Sequence, residues 1–246
     1  MKKILLLLLA AIPCMAACKK DSANDTGTTG NSKGYVSGIV TDTKGKPIAN
    51  ATIVINNATW YNKNIVLRSD ANGKYSYKMP ASDSWYVRGT FDVTYNNRTY
   101  TLDLHPDYAG SFAGTDGKVV NLQWKLTGEI PKDFGRDGYY GGSIEIDAGY
   151  NMSDLKDVSI TLTPSGNLID GSTGQTITKT ITDYNGSYAI RDVPLGRYQV
   201  MVKRNNQPMH IVFRNTTTPL LSPVTTDFVP AYNGATAYGV YFRTEE

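Results

Sequence analysis

The stretch "GIVTDTKGKPIANATIVI", residues 38–55, places two alternating apolar runs on either side of a polar hinge. The hinge contains Asp42, Gly45 and Pro47. These residue types favour a turn, because glycine permits a positive φ, proline fixes φ, and aspartate bonds to nearby backbone N–H groups. The stretch therefore predicts the corner of a β-structure rather than a loop that performs catalysis.

Apolar and polar residues continue to alternate along most of the chain after Gly34, which is typical of half-buried strands. The clearest runs are Phe91 to Tyr95, Tyr100 to Leu104, Leu122 to Leu126, Val158 to Leu162 and Tyr198 to Val202. Asn-Gly at 72–73 and 185–186, and Asn-Asn at 96–97, are suited to tight hairpin turns. The sequence predicts an all-β fold.

Two similar segments indicate a repeated architecture. "NGKYSYKMP" (72–80) and "NGSYAIRDVP" (185–194) share Asn-Gly-x-Tyr and a closing proline. Residues 128–137, between them, resemble a linker. We therefore expect two tandem β-sandwich domains, residues 34–127 and 138–246, with a transthyretin-like or immunoglobulin-like shape.

The N-terminus has the features of an export signal, which is not part of the folded protein. Residues 1–17 combine two lysines with an apolar run too short to span a bilayer. "Met15-Ala16-Ala17-Cys18" resembles a bacterial lipobox, which implies acylation of Cys18 and a membrane partner reached through that lipid. Ordinary cleavage after Ala17, leaving Cys18 free, is the alternative. Residues 18–33 are polar and predict a flexible tether.

Composition excludes several other classes of protein. Cys14 lies in the leader, so the mature chain keeps at most one cysteine and has no disulfide framework. The net charge of +3 falls to +1 once Lys2 and Lys3 are removed with the leader. This balance does not indicate a nucleic-acid partner.

Residues 38–42, 45–48 and 69–75 resemble the signatures of carboxypeptidase regulatory-like domains, which are transthyretin-like β-sandwiches. Residues 182–188 and 193–200 look like related Cna-B or regulatory-like modules, although the Gly-x-Pro turn is absent from this half. The resemblance implies accessory domains without catalysis of their own. The charged residues after Cys18 are similar to those of surface lipoproteins of Bacteroidetes, which implies anchorage to the cell envelope at the outer membrane.

Few residues of the mature chain are suited to catalysis. Its two histidines, His105 and His210, do not lie in a zinc-peptidase motif. We find no nucleophile elbow, P-loop or dinucleotide fingerprint. The sequence therefore predicts no enzyme activity, no catalytic residues, no metal and no cofactor.

Aromatic residues outside the clean alternation are the best candidates for a binding site. They are Trp60, Tyr61, Trp85, Tyr86 and Tyr108. Aromatic faces flanked by Asn and Asp suit sugar rings, so a non-catalytic envelope lipoprotein that binds polysaccharide is the favoured function. The alternatives are that these rings belong to the core, and that the protein is an interaction or adhesion module that docks an outer-membrane protein.

Overall fold

The computed structural model describes residues 33–134, 137–149, 152, 155, 157–184 and 187–245. Strands dominate these residues, and the helical structure among them is a 3₁₀ turn at Lys132–Phe134. The predicted all-β fold is confirmed. The expected signal peptide, Cys18 and most of the tether lie outside the described residues.

The first group of strands, here called the N-terminal unit, runs from residue 35 to residue 124. Its strands are β1 (Tyr35–Thr41), β2 (Thr52–Asn57), β3 (Asn64–Arg68), β4 (Lys74–Lys78), β5 (Ser84–Tyr95), β6 (Arg98–Pro106), β7 (Phe112–Ala113), β8 (Lys118–Val119) and β9 (Leu122–Trp124). Seven of them follow the order β3-β2-β5-β6-β9-β1-β4, while β7 pairs with β5 and β8 pairs with β1.

Inward-facing side chains of this unit alternate with outward-facing ones, as the sequence pattern requires. Along β5, Trp85 and Val87 are buried, whereas Tyr86 and Arg88 are partly exposed. The side chain of Leu122 in β9 reaches Gly89 in β5: a Cβ on Gly89 would lie 2.7 Å from Leu122 Cδ1. Glycine at 89 therefore leaves room for the Leu122 side chain in the core.

The polar hinge that contains Asp42, Gly45 and Pro47 is a turn. Asp42 Oδ1 accepts the N–H groups of Lys44 and Lys46, both at 2.8 Å, and Gly45 has φ +78°. Asp70 uses the same geometry with the N–H groups two and four residues further on. Both turns thus serve as corners between strands.

The second group of strands, the C-terminal unit, runs from residue 142 to residue 245. Its strands are β10 (Gly142–Asp147), β11 (Val158–Pro164), β12 (Ile177–Thr180), β13 (Thr182–Tyr184), β14 (Ser187–Val193), β15 (Arg197–Arg204), β16 (Gln207–Pro208), β17 (His210–Phe213), β18 (Leu220–Leu221), β19 (Val224–Asp227), β20 (Val229–Pro230) and β21 (Tyr238–Glu245). One sheet has the order β13-β14-β10-β21-β17-β18 and the other β12-β11-β15-β16. Among the described residues, strands pair only within their own unit.

Predicted turns fit this topology where the structure describes them. Asn96 and Asn97, with φ of 48° and 61°, connect β5 to β6. Strands β13 and β14 pair antiparallel on either side of residues 185–186, which lie outside the described residues.

Tyrosine hydroxyls join the two units. Tyr238 Oη accepts the N–H of Thr101 at 2.8 Å and donates to its carbonyl at 3.0 Å. Tyr100 Oη donates to the carbonyl of Phe228 at 3.0 Å. Burial raises the pKa of Tyr100 to about 12, because the phenolate would lose its hydration.

The corner at the hinge also takes part in this junction. Thr43 Oγ1 donates to Asp170 Oδ2 at 2.8 Å. Nearby, Tyr95 Oη donates to the carbonyl of Asn167 and accepts the N–H of Arg197. The hinge is therefore part of a structural contact between the units.

Candidate functional site

Two aromatic side chains project from the loop between β2 and β3, which we call the aromatic tip (residues 58–63). Trp60 is 60% exposed and Tyr61 is 95% exposed. The side chain of Asn57 is buried, and its Oδ1 accepts the N–H groups of Thr59 at 2.9 Å and Trp60 at 2.8 Å. This anchoring holds the exposed rings on an ordered backbone, so less conformational entropy is lost when they bind a partner.

A second attachment fixes the far end of the aromatic tip. Lys63 Nζ lies 2.8 Å from Asp83 Oδ2. The hydrogen bond from Lys63 lowers the pKa of Asp83, which keeps this carboxylate ionised. The N–H of Ala58 also donates to the carbonyl of Ser84 at 2.8 Å. The tip is thus fastened to the start of β5 at both ends.

Strand β3 follows the tip directly and forms one edge of the N-terminal unit. The N–H of Asn57 donates to the carbonyl of Lys63, and the N–H of Ser69 donates to that of Ala51. In an antiparallel pair, every second residue of a strand hydrogen-bonds to its neighbour through its backbone. The odd-numbered residues of β3 therefore hydrogen-bond to β2, and the backbone N–H and C=O groups of residues 64, 66 and 68 face away from β2. Val66 is also 63% exposed.

The opposite edge of this unit, β4, has a different character. It begins with Lys74 and ends with Lys78, and lysines on an edge strand oppose pairing with another chain. Strand β3 has no lysine. Its charged residue, Arg68, donates to the carbonyl of Asn50 at 3.0 Å, and Val66 is exposed. Of these two edges, β3 is therefore the one open to strand addition.

A groove crosses the outer face of β2, β5 and β6. Its volume is about 330 Å³. Asn56, Tyr86, Arg88 and Thr90 form its floor, in register across β2 and β5. Phe134 and Thr236 close it from outside the sheet.

The five aromatic residues singled out in the sequence do not form one surface. Trp60 and Tyr61 form the tip, Tyr86 lines the groove, and Lys118 Nζ lies 3.8 Å from the centre of the Tyr108 ring. The prediction for Trp85 is wrong: it is 1% exposed, and its Nε1 donates to the carbonyl of Ser82. Trp85 is a core residue.

Catalytic or metal-binding arrangements are not evident in the described part of the chain. These residues contain no group of three or more His, Cys, Asp or Glu side chains that could hold a metal ion. His105 Nδ1 lies 3.0 Å from Tyr140 Oη, and burial lowers the pKa of this histidine. None of the described helical residues forms a helix long and apolar enough to cross a membrane.

Comparison with known proteins gives partial similarities. No protein-family model matches the chain. Structural protein 27 of a virus (isolate Australia/Victoria) is 38% identical over 118 residues, 46% of this chain and 21% of that protein. The chain thus spans about a fifth of the length of this curated relative.

Three bacterial proteins are among the solved structures that align with the chain. The Bacillus anthracis TIE protein matches 87% of this chain and 34% of its own, with 11% identity and a TM-score of 0.28. The major pilin protein from Streptococcus pyogenes matches 87% of this chain and 97% of its own, with 11% identity and a TM-score of 0.28. A single B repeat unit of the collagen-binding surface protein of Staphylococcus aureus matches 88% of this chain and 100% of its own, with 10% identity and a TM-score of 0.25. These TM-scores are too low to establish a common fold, so the regulatory-like family assignment stays a prediction.

Proposed function

We propose that this chain is a non-catalytic adhesion or protein-interaction module of the cell envelope. The observation that carries the proposal is a lysine-free edge strand, β3, directly adjoining the anchored and exposed rings of Trp60 and Tyr61. An extended segment of a partner protein would add to β3 through its backbone. The two rings would supply side-chain contacts of the kind that dominate interface energetics.

We infer the location of the protein from its N-terminal sequence features. Export, acylation at Cys18 and attachment to the outer membrane would present the module at the end of the 18–33 tether. A tether of this composition lets the folded part reach a partner at variable distance from the membrane.

Carbohydrate is the second candidate ligand. Trp60 and Tyr61 are adjacent and exposed, which suits stacking on sugar rings. However, Trp85 is buried and Tyr108 lies beneath Lys118, so these two candidate residues do not extend the surface of Trp60 and Tyr61. We therefore place a protein partner first.

Photo-crosslinking on intact cells tests the proposal. A photoreactive phenylalanine analogue replaces Val66 in β3 or, as the matched control, Tyr77 in the lysine-flanked strand β4. Position 66 should give a discrete adduct that protease digests, and position 77 should not. Identical adducts from both positions, or none from 66, would contradict docking at β3. An adduct removed by glycosidases alone would favour carbohydrate.

A further inference from the structure

The guanidinium of Arg88 occupies an unusual position on the floor of the groove. It lies between two aromatic rings, 3.8 Å from the centre of Phe134 and 4.6 Å from that of Tyr86. The residue is half-buried, and burial lowers the pKa of its guanidinium. Even so, arginine stays charged in proteins, so the groove contains a partly desolvated cation.

Protein groups accept hydrogen bonds from only some of the N–H groups of this guanidinium. Nη1 donates to the carbonyls of Val87 at 2.9 Å and Ala109 at 3.3 Å, and Nη2 donates to that of Asp133 at 2.7 Å. All three acceptors are backbone oxygens. A guanidinium has five N–H donors, so Nε–H and one Nη2–H have no protein partner among the described residues. Two donors on neighbouring nitrogens match the two oxygens of a carboxylate.

The rest of the groove offers groups that suit hydroxyls. Asn56 and Thr90 supply an amide and a hydroxyl beside Arg88. Asp103 on β6 is the register partner of Thr90, and its carboxylate accepts a hydrogen bond from Thr236 Oγ1 at 2.7 Å. Asp103 disfavours a second carboxylate nearby but can accept hydrogen bonds from ligand hydroxyls. The groove therefore contains both a cation, Arg88, and a carboxylate acceptor, Asp103, on neighbouring strands of one sheet face.

We propose that this groove binds an acidic sugar, with the carboxylate on Arg88 and ring hydroxyls toward Asn56, Thr90 and Asp103. The rings of Tyr86 and Phe134 line the same space and offer apolar surface for the C–H groups of a sugar. The volume of about 330 Å³ is at the lower end of that of ligand pockets, which suits a terminal residue rather than a long chain. This site is separate from the edge and tip on which the proposed function rests.

The test compares two ligands that differ only at one carbon. Isothermal titration calorimetry of the detergent-solubilised full chain would use methyl β-D-glucuronide and methyl β-D-glucoside, with a carboxylate in the first and a hydroxymethyl group in the second. We expect the glucuronide to bind at least about tenfold more tightly, because it alone makes charge-assisted hydrogen bonds with Arg88. Equal binding of both ligands, or binding of neither, would overturn the proposal.

Substitutions locate the site. Arg88→Gln should weaken glucuronide binding at least about tenfold, and Arg88→Lys should weaken it several-fold, because lysine keeps the charge but lacks the paired donors. Arg68→Gln, an arginine on the edge strand β3, is the matched control and should leave binding unchanged. Unchanged binding in folded Arg88→Gln protein would refute the assignment.

A second substitution and a second ligand complete the binding test. If Arg88→Gln fails to fold, Thr90→Val removes one hydroxyl with little change in shape and should still weaken binding several-fold. A short glutamate peptide that binds as tightly as the glucuronide would overturn the sugar in favour of peptide carboxylates. Val66→Pro should not affect glucuronide binding, so failure of this site and failure of β3 docking are distinguishable.

Discussion

Removal of one hydroxyl group, in Tyr238→Phe, tests how firmly the two units are joined. This hydroxyl accepts the N–H of Thr101 at 2.8 Å and donates to its carbonyl at 3.0 Å, and Tyr238 is 7% exposed. Phenylalanine keeps the ring contact with Tyr100, whose centroid lies 5.0 Å away. The substitution therefore isolates the loss of two hydrogen bonds. Leaving partly buried polar groups without partners costs about 1–3 kcal/mol, and we expect about 2 kcal/mol.

Urea and thermal denaturation followed by circular dichroism would measure this loss. For a protein of this size, about 2 kcal/mol corresponds to a fall in Tm of about 4–8 °C. Tyr232→Phe is the matched control, because Tyr232 is 70% exposed, and it should change the free energy of unfolding by less than about 0.5 kcal/mol. If the two variants were equally stable, the Tyr238 hydroxyl would contribute nothing to the junction and the reasoning would fail.

Three further predictions concern the core, the Arg197–Asp227 ion pair and the anchor. Trp85→Ala should cost about 3–5 kcal/mol of unfolding free energy by emptying a buried site, whereas Trp60→Ala should cost less than about 0.5 kcal/mol by denaturant titration. Burial alone would raise the pKa of Asp227, but the hydrogen bond from Arg197 helps to lower it overall. The ionised Asp227 should therefore stabilise the folded protein above about pH 4, and this stabilisation should be lost as pH falls through the lowered pKa. Asp227→Asn should accordingly flatten the acid limb of a curve of unfolding free energy against pH. Cys18→Ser should move the protein from the membrane fraction to the soluble fraction, and mature protein with no acyl mass on Cys18 would contradict the anchor.

Strand alternation made much of the fold predictable. The run of Phe91, Val93 and Tyr95 identified β5, and Asn96-Asn97 identified its hairpin. The same period, extended backwards from Phe91 in steps of two, reaches Trp85 and places it on the core face. That signal was present in the sequence, and it separates Trp85 from Tyr86, which lies on the opposite face.

The candidate sites were less accessible to sequence reasoning. Asn57 anchors the backbone at Thr59 and Trp60, and its burial requires the tertiary fold. The groove depends on Phe134 and Thr236, which are distant in sequence from Arg88 and approach it only through the junction between the units. Local patterns do not encode contacts of this kind.

The most direct test of docking at β3 combines crosslinking with a backbone substitution. A photoreactive residue at Tyr61 would report partner contact in two backgrounds, Val66→Pro and Val66→Thr. Because the N–H of residue 66 faces away from β2, proline removes a donor available to a partner while β2–β3 pairing persists, and threonine retains that donor. We predict that the crosslinked adduct is lost with proline and kept with threonine. An adduct of equal intensity in both backgrounds would contradict strand addition at β3.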